Sequence, residues 1–153
     1  MGKMRKFEVC RGFENSGVQL PKRATKFSAG YDIYSNENCV IEPNEVYLVA
    51  TGVKVRMAND EVLKIYSRSS LGVKKGLVLV NSVGIIDSDY YGNEENDGHI
   101  RIALYNFSPN SVEIFKGERI AQGLFSKYLI CDDDSASKVR TGGFGSTNEK
   151  KFS

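Results

Sequence analysis

The chain has 153 residues, of which 41% are hydrophobic, and its 21 Lys+Arg against 19 Asp+Glu give a formal net charge of +2. This length suits one domain with a real core but is small for an active site walled on all sides, so oligomerisation stays open. Near-neutral charge argues against a nucleic-acid polymer or a membrane surface as partner and leaves small anions.

The opening MGKMRKFEVC is charged and lacks the apolar centre of a signal peptide. No apolar run approaches the roughly 18 residues of a membrane span, so a soluble, cytoplasmic protein is expected. Cys10, Cys39 and Cys131 are odd in number, widely spaced and joined by one histidine, His99. That favours reduced thiols over disulfides or a zinc site.

Between Phe7 and Tyr128 the segments FEVC, YDIY, CVIE, VYLVAT, VKVRM, VLKIYS, LVLV, IRIALYNF, VEIF and RIAQGLFSKYL recur at intervals too short for helices between them. Rich in Val, Ile, Tyr and Phe and separated by Gly, Asn, Pro or Asp, they predict an all-β sandwich or jelly roll over residues 1–131. Only SSLGVKKG, Ser69 to Gly76, reads as a short helix, with Ser69 or Ser70 as N-cap and Gly76 as stop. Just before it, in YSRSSL, Arg68 sits beside three hydroxyls at the helix mouth, a place that favours an anion.

The stretch Asn81 to Gly92, NSVGIIDSDYYG, organises the rest. Gly84 marks a turn or a close approach, Ile85 and Ile86 give one more β-like step, and Asp87, Asp89, Tyr90 and Tyr91 follow at a turn. Taken singly, an Asp beside Gly and Ser caps a turn; on a rigid hairpin the cluster is a place to expect chemistry. In GERIAQ, 117–122, a turn feeds a strand carrying Gln122. Behind Cys131 comes a polar linker with nothing to bury, then RTGGFGSTNEKKFS, so residues 132–153 are expected to form a flexible linker and arm. Glycine-freed amides, Arg140, Ser146 and Thr147 suit a polyphosphate, and Phe144 offers a flat face for a base. No GK[ST] is present, so this is not a Walker A loop.

In order, AGYDIYS (29–35), SRSSLGVKKGL (67–77), NSVGIIDSDYYG, GERIAQ and RTGGFGST (140–147) resemble the five motifs of the homotrimeric dUTPases, across nearly the whole chain. The resemblance implies the β-clip jelly roll of that family and hydrolysis of dUTP to dUMP and pyrophosphate, which limits uracil in DNA and supplies dUMP for dTMP synthesis. It implies that Asn81 and the backbone of Gly84, Ile85 and Ile86 hold uracil, with the amide of Arg101 as a further contact, and that Tyr90 packs under deoxyribose and leaves no room for a 2′-hydroxyl. Asp87 matches the general base. Arg68, Ser69, Ser70, Gln122, Arg140, Ser146 and Thr147 match phosphate ligands, Phe144 the residue stacking on uracil, and Asp32 a carboxylate ordering the surroundings of the site. Asp89 is expected to brace the hairpin. Mg²⁺ is implied as the cofactor, held by the triphosphate rather than by a protein cage, and each site is implied to draw on three subunits, with the arm closing over the nucleotide.

This chain departs from the family pattern in three places. The common Pro-Arg-Ser-Gly is Ser67, Arg68, Ser69, Ser70; Arg140 lies one position closer to Phe144 than usual; and NEENDGH, Asn93 to His99, lengthens the turn after the hairpin. The rival is a dCTP deaminase, which shares the fold but needs an acid on the strand GHIRIAL, where Ala103 stands here. A binding role is a second alternative: phage-type dUTPases can capture a repressor protein, and the Asn93 to His99 insertion would be a contact for it.

Overall fold

The computed structural model describes residues 4–138 and 140–143, so Phe144, Ser146 and Thr147 lie outside the described residues. The strands are β1 (Lys6–Val9), β2 (Lys22–Arg23), β3 (Tyr31–Tyr34), β4 (Cys39–Ile41), β5 (Val46–Ala50), β6 (Val53–Arg56) and β7 (Glu61–Tyr66), then β8 (Leu77–Leu79), β9 (Gly84–Asp87), β10 (Arg101–Asn106), β11 (Val112–Ile114) and β12 (Arg119–Lys127). All ten segments read from the sequence are strands, and the extra step at Ile85 and Ile86 is β9. The two-residue β2 was not foreseen, because two residues carry no periodicity. The architecture is all-β and jelly-roll-like.

Alternation explains why these segments are strands: on β6, Val53 and Val55 are buried while Lys54 and Arg56 are half-buried. Four sheets result, ordered β1-β6, β5-β10-β8, β11-β4 and β2-β3-β12-β7-β9. Every strand pair is antiparallel, so most connections are short. Ile33, Ile41, Val49, Leu63, Leu77, Ile102, Leu104, Ile114 and Ile120 meet in one core between the sheets. Each such side chain, fully withdrawn from water, contributes about 1.5–3 kcal/mol.

The helix α1 runs Ser69–Lys75 and ends at Gly76, whose φ of 69° is left-handed. The expected Ser69 or Ser70 cap is corrected: Arg68, extended and without a side-chain cap bond, is the N-cap residue. The hydroxyl that matters is Ser67's, and it serves the sheet, accepting from Leu79 N at 3.0 Å. That bond ties the loop before the helix to the strand leading into the hairpin.

Candidate functional site

Of the two readings of Gly84, a turn or a close approach, the structure takes the second. The left-handed residue of the hairpin is Ser82, φ 62°, and Val83 N donates to Asn81 O at 2.7 Å. Gly84 is needed for closeness, because a Cβ there would lie 3.0 Å from Ile65 Cβ on β7. β9 therefore presses against β7, paired Ile65↔Gly84 and Lys64↔Ile85, and is the last strand of its sheet. Among the described residues its outer edge pairs with no strand, so backbone donors and acceptors of the hairpin face outward.

Beside that edge is a cavity of about 200 Å³ lined by Asn81, Gly84, Ile85, Ile86, Asp87, Tyr90, Arg101, Ala103, Arg140 and Gly143, among others. Eight of the residues read from the sequence thus meet here. The carboxylate of Asp87 is half-exposed, its side chain at 51%. Tyr90 is buried at the start of the return, and burial raises its phenol pKa, so it stays a neutral donor and ring. Among the described residues lining the cavity, Asp87 is the one carboxylate; Ala103 supplies none on β10.

The described part of the arm reaches this cavity. Arg140 donates from Nη2 to Asp87 Oδ2 at 2.7 Å and from Nε to Asp89 Oδ1 at 2.9 Å, and its guanidinium lies 5.9 Å from the Tyr90 ring centre. Asp89, expected to brace the hairpin, holds the arm instead. Both carboxylates are about half-exposed, so each pairing is of the order of 0.2–1 kcal/mol. A ligand with its own anionic charge can displace it.

A second depression, wider and open, is lined by Gly30, Asp32, Ser67, Arg68, Ser69, Arg119 and Gln122, among others. Asp32 holds two guanidiniums, Arg68 Nε at 3.4 Å and Arg119 Nη1 at 3.5 Å, leaving an excess of one positive charge. Gln122 donates to Ser67 O at 3.2 Å. Ser70 does not line this depression; it faces a neighbouring groove shared with Arg68 and Arg119.

Arg119 was missed because strict alternation puts residues three apart on opposite faces of a strand. A register shift between Arg119 and Ala121 turns both Arg119 and Gln122 to the same depression. Gly30, in AGYDIYS, is kept small by Gln122: a Cβ on Gly30 would lie 2.6 Å from Gln122 Oε1.

An outward backbone edge and a carboxylate around one small cavity, with a cationic depression on the same sheet, define an all-β protein built for a small ligand carrying a ring and several anionic groups. The dUTPase family model matches residues 16–148. The deoxyuridine 5′-triphosphate nucleotidohydrolase of Lactococcus lactis subsp. lactis (strain IL1403) is 50% identical over 147 residues, 95% of this chain and 98% of that protein. The crystal structure of the dUTPase from Streptococcus mutans superposes with a TM-score of 0.79 at 44% identity, over 83% of this chain and 98% of that one. The dUTPase from phage phi11 of S. aureus superposes with a TM-score of 0.73 at 22% identity, over 88% and 96%, a likeness of fold. The chain belongs to the dUTPase family. It is a hydrolase of nucleotide metabolism whose substrate is dUTP.

Proposed function

We propose that dUTP is split into dUMP and pyrophosphate by a water that Asp87 orients and deprotonates behind the α-phosphorus. The oxygen of that water bonds to the α-phosphorus, the bond to the bridging oxygen of pyrophosphate breaks, and the proton passes to Asp87. The observation that carries this reading is that Asp87 shares one small cavity with Asn81, the free edge of β9 and Tyr90. Uracil lies along that edge, bonded by the Asn81 side chain, the backbone of Gly84, Ile85 and Ile86, and the Arg101 amide. Cytosine reverses donor and acceptor at one edge, and each buried group left unpaired costs roughly 1–3 kcal/mol. Tyr90 packs under the sugar and excludes a 2′-hydroxyl.

Arg68, Ser69 and Gln122 take the phosphates, with Ser70 at the rim, and Asp32 keeps Arg68 in place. Among the described residues no three His, Cys, Asp or Glu are grouped to hold a metal. Mg²⁺ would be held by the triphosphate, itself bound by Arg68, Ser69 and Gln122, and would neutralise phosphate charge there. Residues 132–153 act as linker and arm, bringing Arg140, Phe144, Ser146 and Thr147 over the nucleotide, with Phe144 on uracil.

The assembly is a homotrimer with shared sites. On one chain the hairpin cavity and the phosphate depression have no lining residue in common, which supports completion of each site by another copy. The outer face of the β5-β10-β8 sheet supports the same reading: Val46 opposes Tyr105, Leu48 opposes Ala103, and Tyr105 opposes Val78, an apolar surface with Val46 and Leu48 exposed. A cytoplasmic location fits these reduced cysteines and small metabolites, and among the described residues no helix is long and apolar enough to cross a membrane. Capture of a repressor protein is an addition to catalysis, for which the 93–99 turn leaves Glu94 and Glu95 as its exposed side chains; pull-down with Asp87→Ala tests it.

Pyrophosphate release from dUTP, dCTP, dTTP and UTP, measured side by side, tests the whole reading. dUTP alone should turn over well. Ammonia released from dCTP would instead favour the deaminase.

A further inference from the structure

The 93–99 turn is polar in sequence, and apart from the exposed Glu94 and Glu95 it spends its polar side chains inward. Asn93 and His99 are buried, and three bonds converge on Tyr90. The phenol donates to His99 O at 2.7 Å, Asn96 Nδ2 donates to the phenol oxygen at 2.9 Å, and Asn93 Nδ2 donates to Tyr90 O at 2.8 Å. Asn96 cannot swing freely, because its Oδ1 accepts from Asn93 Nδ2 at 2.7 Å and from Gly98 N at 3.1 Å. The base of the turn is fixed as well: Asp97 Oδ2 accepts from Arg11 N at 2.8 Å and Lys54 Nζ at 2.7 Å, and His99 Nε2 accepts from Gly52 N at 2.9 Å.

The same turn receives the arm. Gly143 N donates to Glu95 Oε2 at 2.6 Å, and a Cβ on residue 143 would lie 2.7 Å from Asn96 Nδ2. Asn96 is thus sandwiched between the arm backbone and the phenol. A tyrosine ring held only at its backbone end can tilt at the far end; two hydrogen bonds on the hydroxyl stop that tilt. Displacements of about 1 Å in a site of this kind change rates by up to about 100-fold.

We propose that the 93–99 turn is a positioning element in which Asn96 sets the Tyr90 ring and Glu95 docks the arm at Gly143, coupling arm closure to rejection of a 2′-hydroxyl. The inference rests on the reading of Tyr90 as the plate beneath the sugar. Asn96 acts through Tyr90 and touches no substrate atom.

The test is kcat/KM for dUTP and for UTP, with thermal unfolding recorded for each variant. Asn96→Ala should lower the preference for dUTP over UTP by about tenfold, the loss of one hydrogen bond to a buried partner. In a Tyr90→Phe background the same change should shift the preference by less than about twofold, because the bonded hydroxyl is already gone. Gly143→Ala leaves the turn's sequence intact and pushes on Asn96, so it should erode the preference in the same direction even if Asn96→Ala unfolds. An equal effect of Asn96→Ala with and without the Tyr90 hydroxyl, or an unchanged preference in both single variants, overturns the proposal. Tyr90→Ala separates the two levels. If it leaves the preference intact, the sugar reading fails and the coupling falls with it; if it abolishes the preference while Asn96→Ala and Gly143→Ala do not touch it, only the role of the turn is lost.

Discussion

The hairpin cavity and the cationic depression are built in opposite ways. Most of the first comes from one continuous run, 81–103, folded back through the 93–99 turn, with Ile65 and Leu79 from neighbouring strands and Arg140 and Gly143 from the arm. The second is assembled from three distant runs, around Gly30 to Asp32, Ser67 to Ser69 and Arg119 to Gln122, brought together because β3, β12 and β7 are neighbours in one sheet. A contiguous site depends on local turn chemistry, whereas an assembled site depends on strand register. Substitutions should therefore damage the two by different routes.

The largest effect is expected at the centre of the contiguous site. Asp87→Asn should lower kcat by roughly 10³-fold, within the range for loss of a general base, while calorimetry with a non-hydrolysable dUTP analogue still detects binding. Retained turnover would remove Asp87 from the chemistry and break the comparison at its root.

Acid should come next and should act on the hairpin side, where the one histidine sits. Burial pushes the His99 imidazole down to about 4 from an ordinary 6.5, and its Nε2 accepts backbone N–H bonds that a proton would abolish. Between those two values the unfolded chain binds a proton that the native chain does not, so stability is full above about pH 7 and falls as pH drops from 6.5 to 4. The expected loss is about 3 kcal/mol, read from chemical denaturation at pH 7 and pH 4. His99→Gln should flatten that dependence.

Deletion of the residues after Lys138 is expected to cost about 100-fold in kcat/KM, the scale of lost positioning, with the strand content by circular dichroism unchanged. An intact rate would show that the arm assists neither region. The smallest of these effects belongs to the assembled site. Gly30→Ala puts a methyl 2.6 Å from Gln122 Oε1 and should raise KM for dUTP about tenfold, with kcat nearly kept and thermal stability shifted little. A fall in kcat with unchanged KM would mean that Gln122 acts on the transition state and not on phosphate binding.

Arg140 joins the arm to the hairpin side. Its bonds to Asp87 and Asp89 are weak enough for an anionic ligand to replace them. The usual arginine lies one residue further from the aromatic. Here the closer spacing still brings the guanidinium to the hairpin.

The sequence by itself settled which segments become strands, since alternation of Val, Ile, Tyr and Phe with polar residues is written locally, and it settled the helix stop at Gly76, where a left-handed residue is wanted. It also marked Asp87 and Tyr90 as part of a polar cluster, because a contiguous hairpin keeps its side chains within one readable run, whereas Asn81 was picked out only by the family resemblance. Only the tertiary structure decided that Ser82 makes the turn while Gly84 serves the close approach, that Arg68 and not a serine is the N-cap of the helix, and that Arg119 joins Gln122 through a bulge. Those outcomes depend on what a neighbouring strand leaves room for: Ile65 behind Gly84, Gln122 behind Gly30, the arm behind Asn96. Close approach between residues far apart in the chain has no period, and so no local signature announces it.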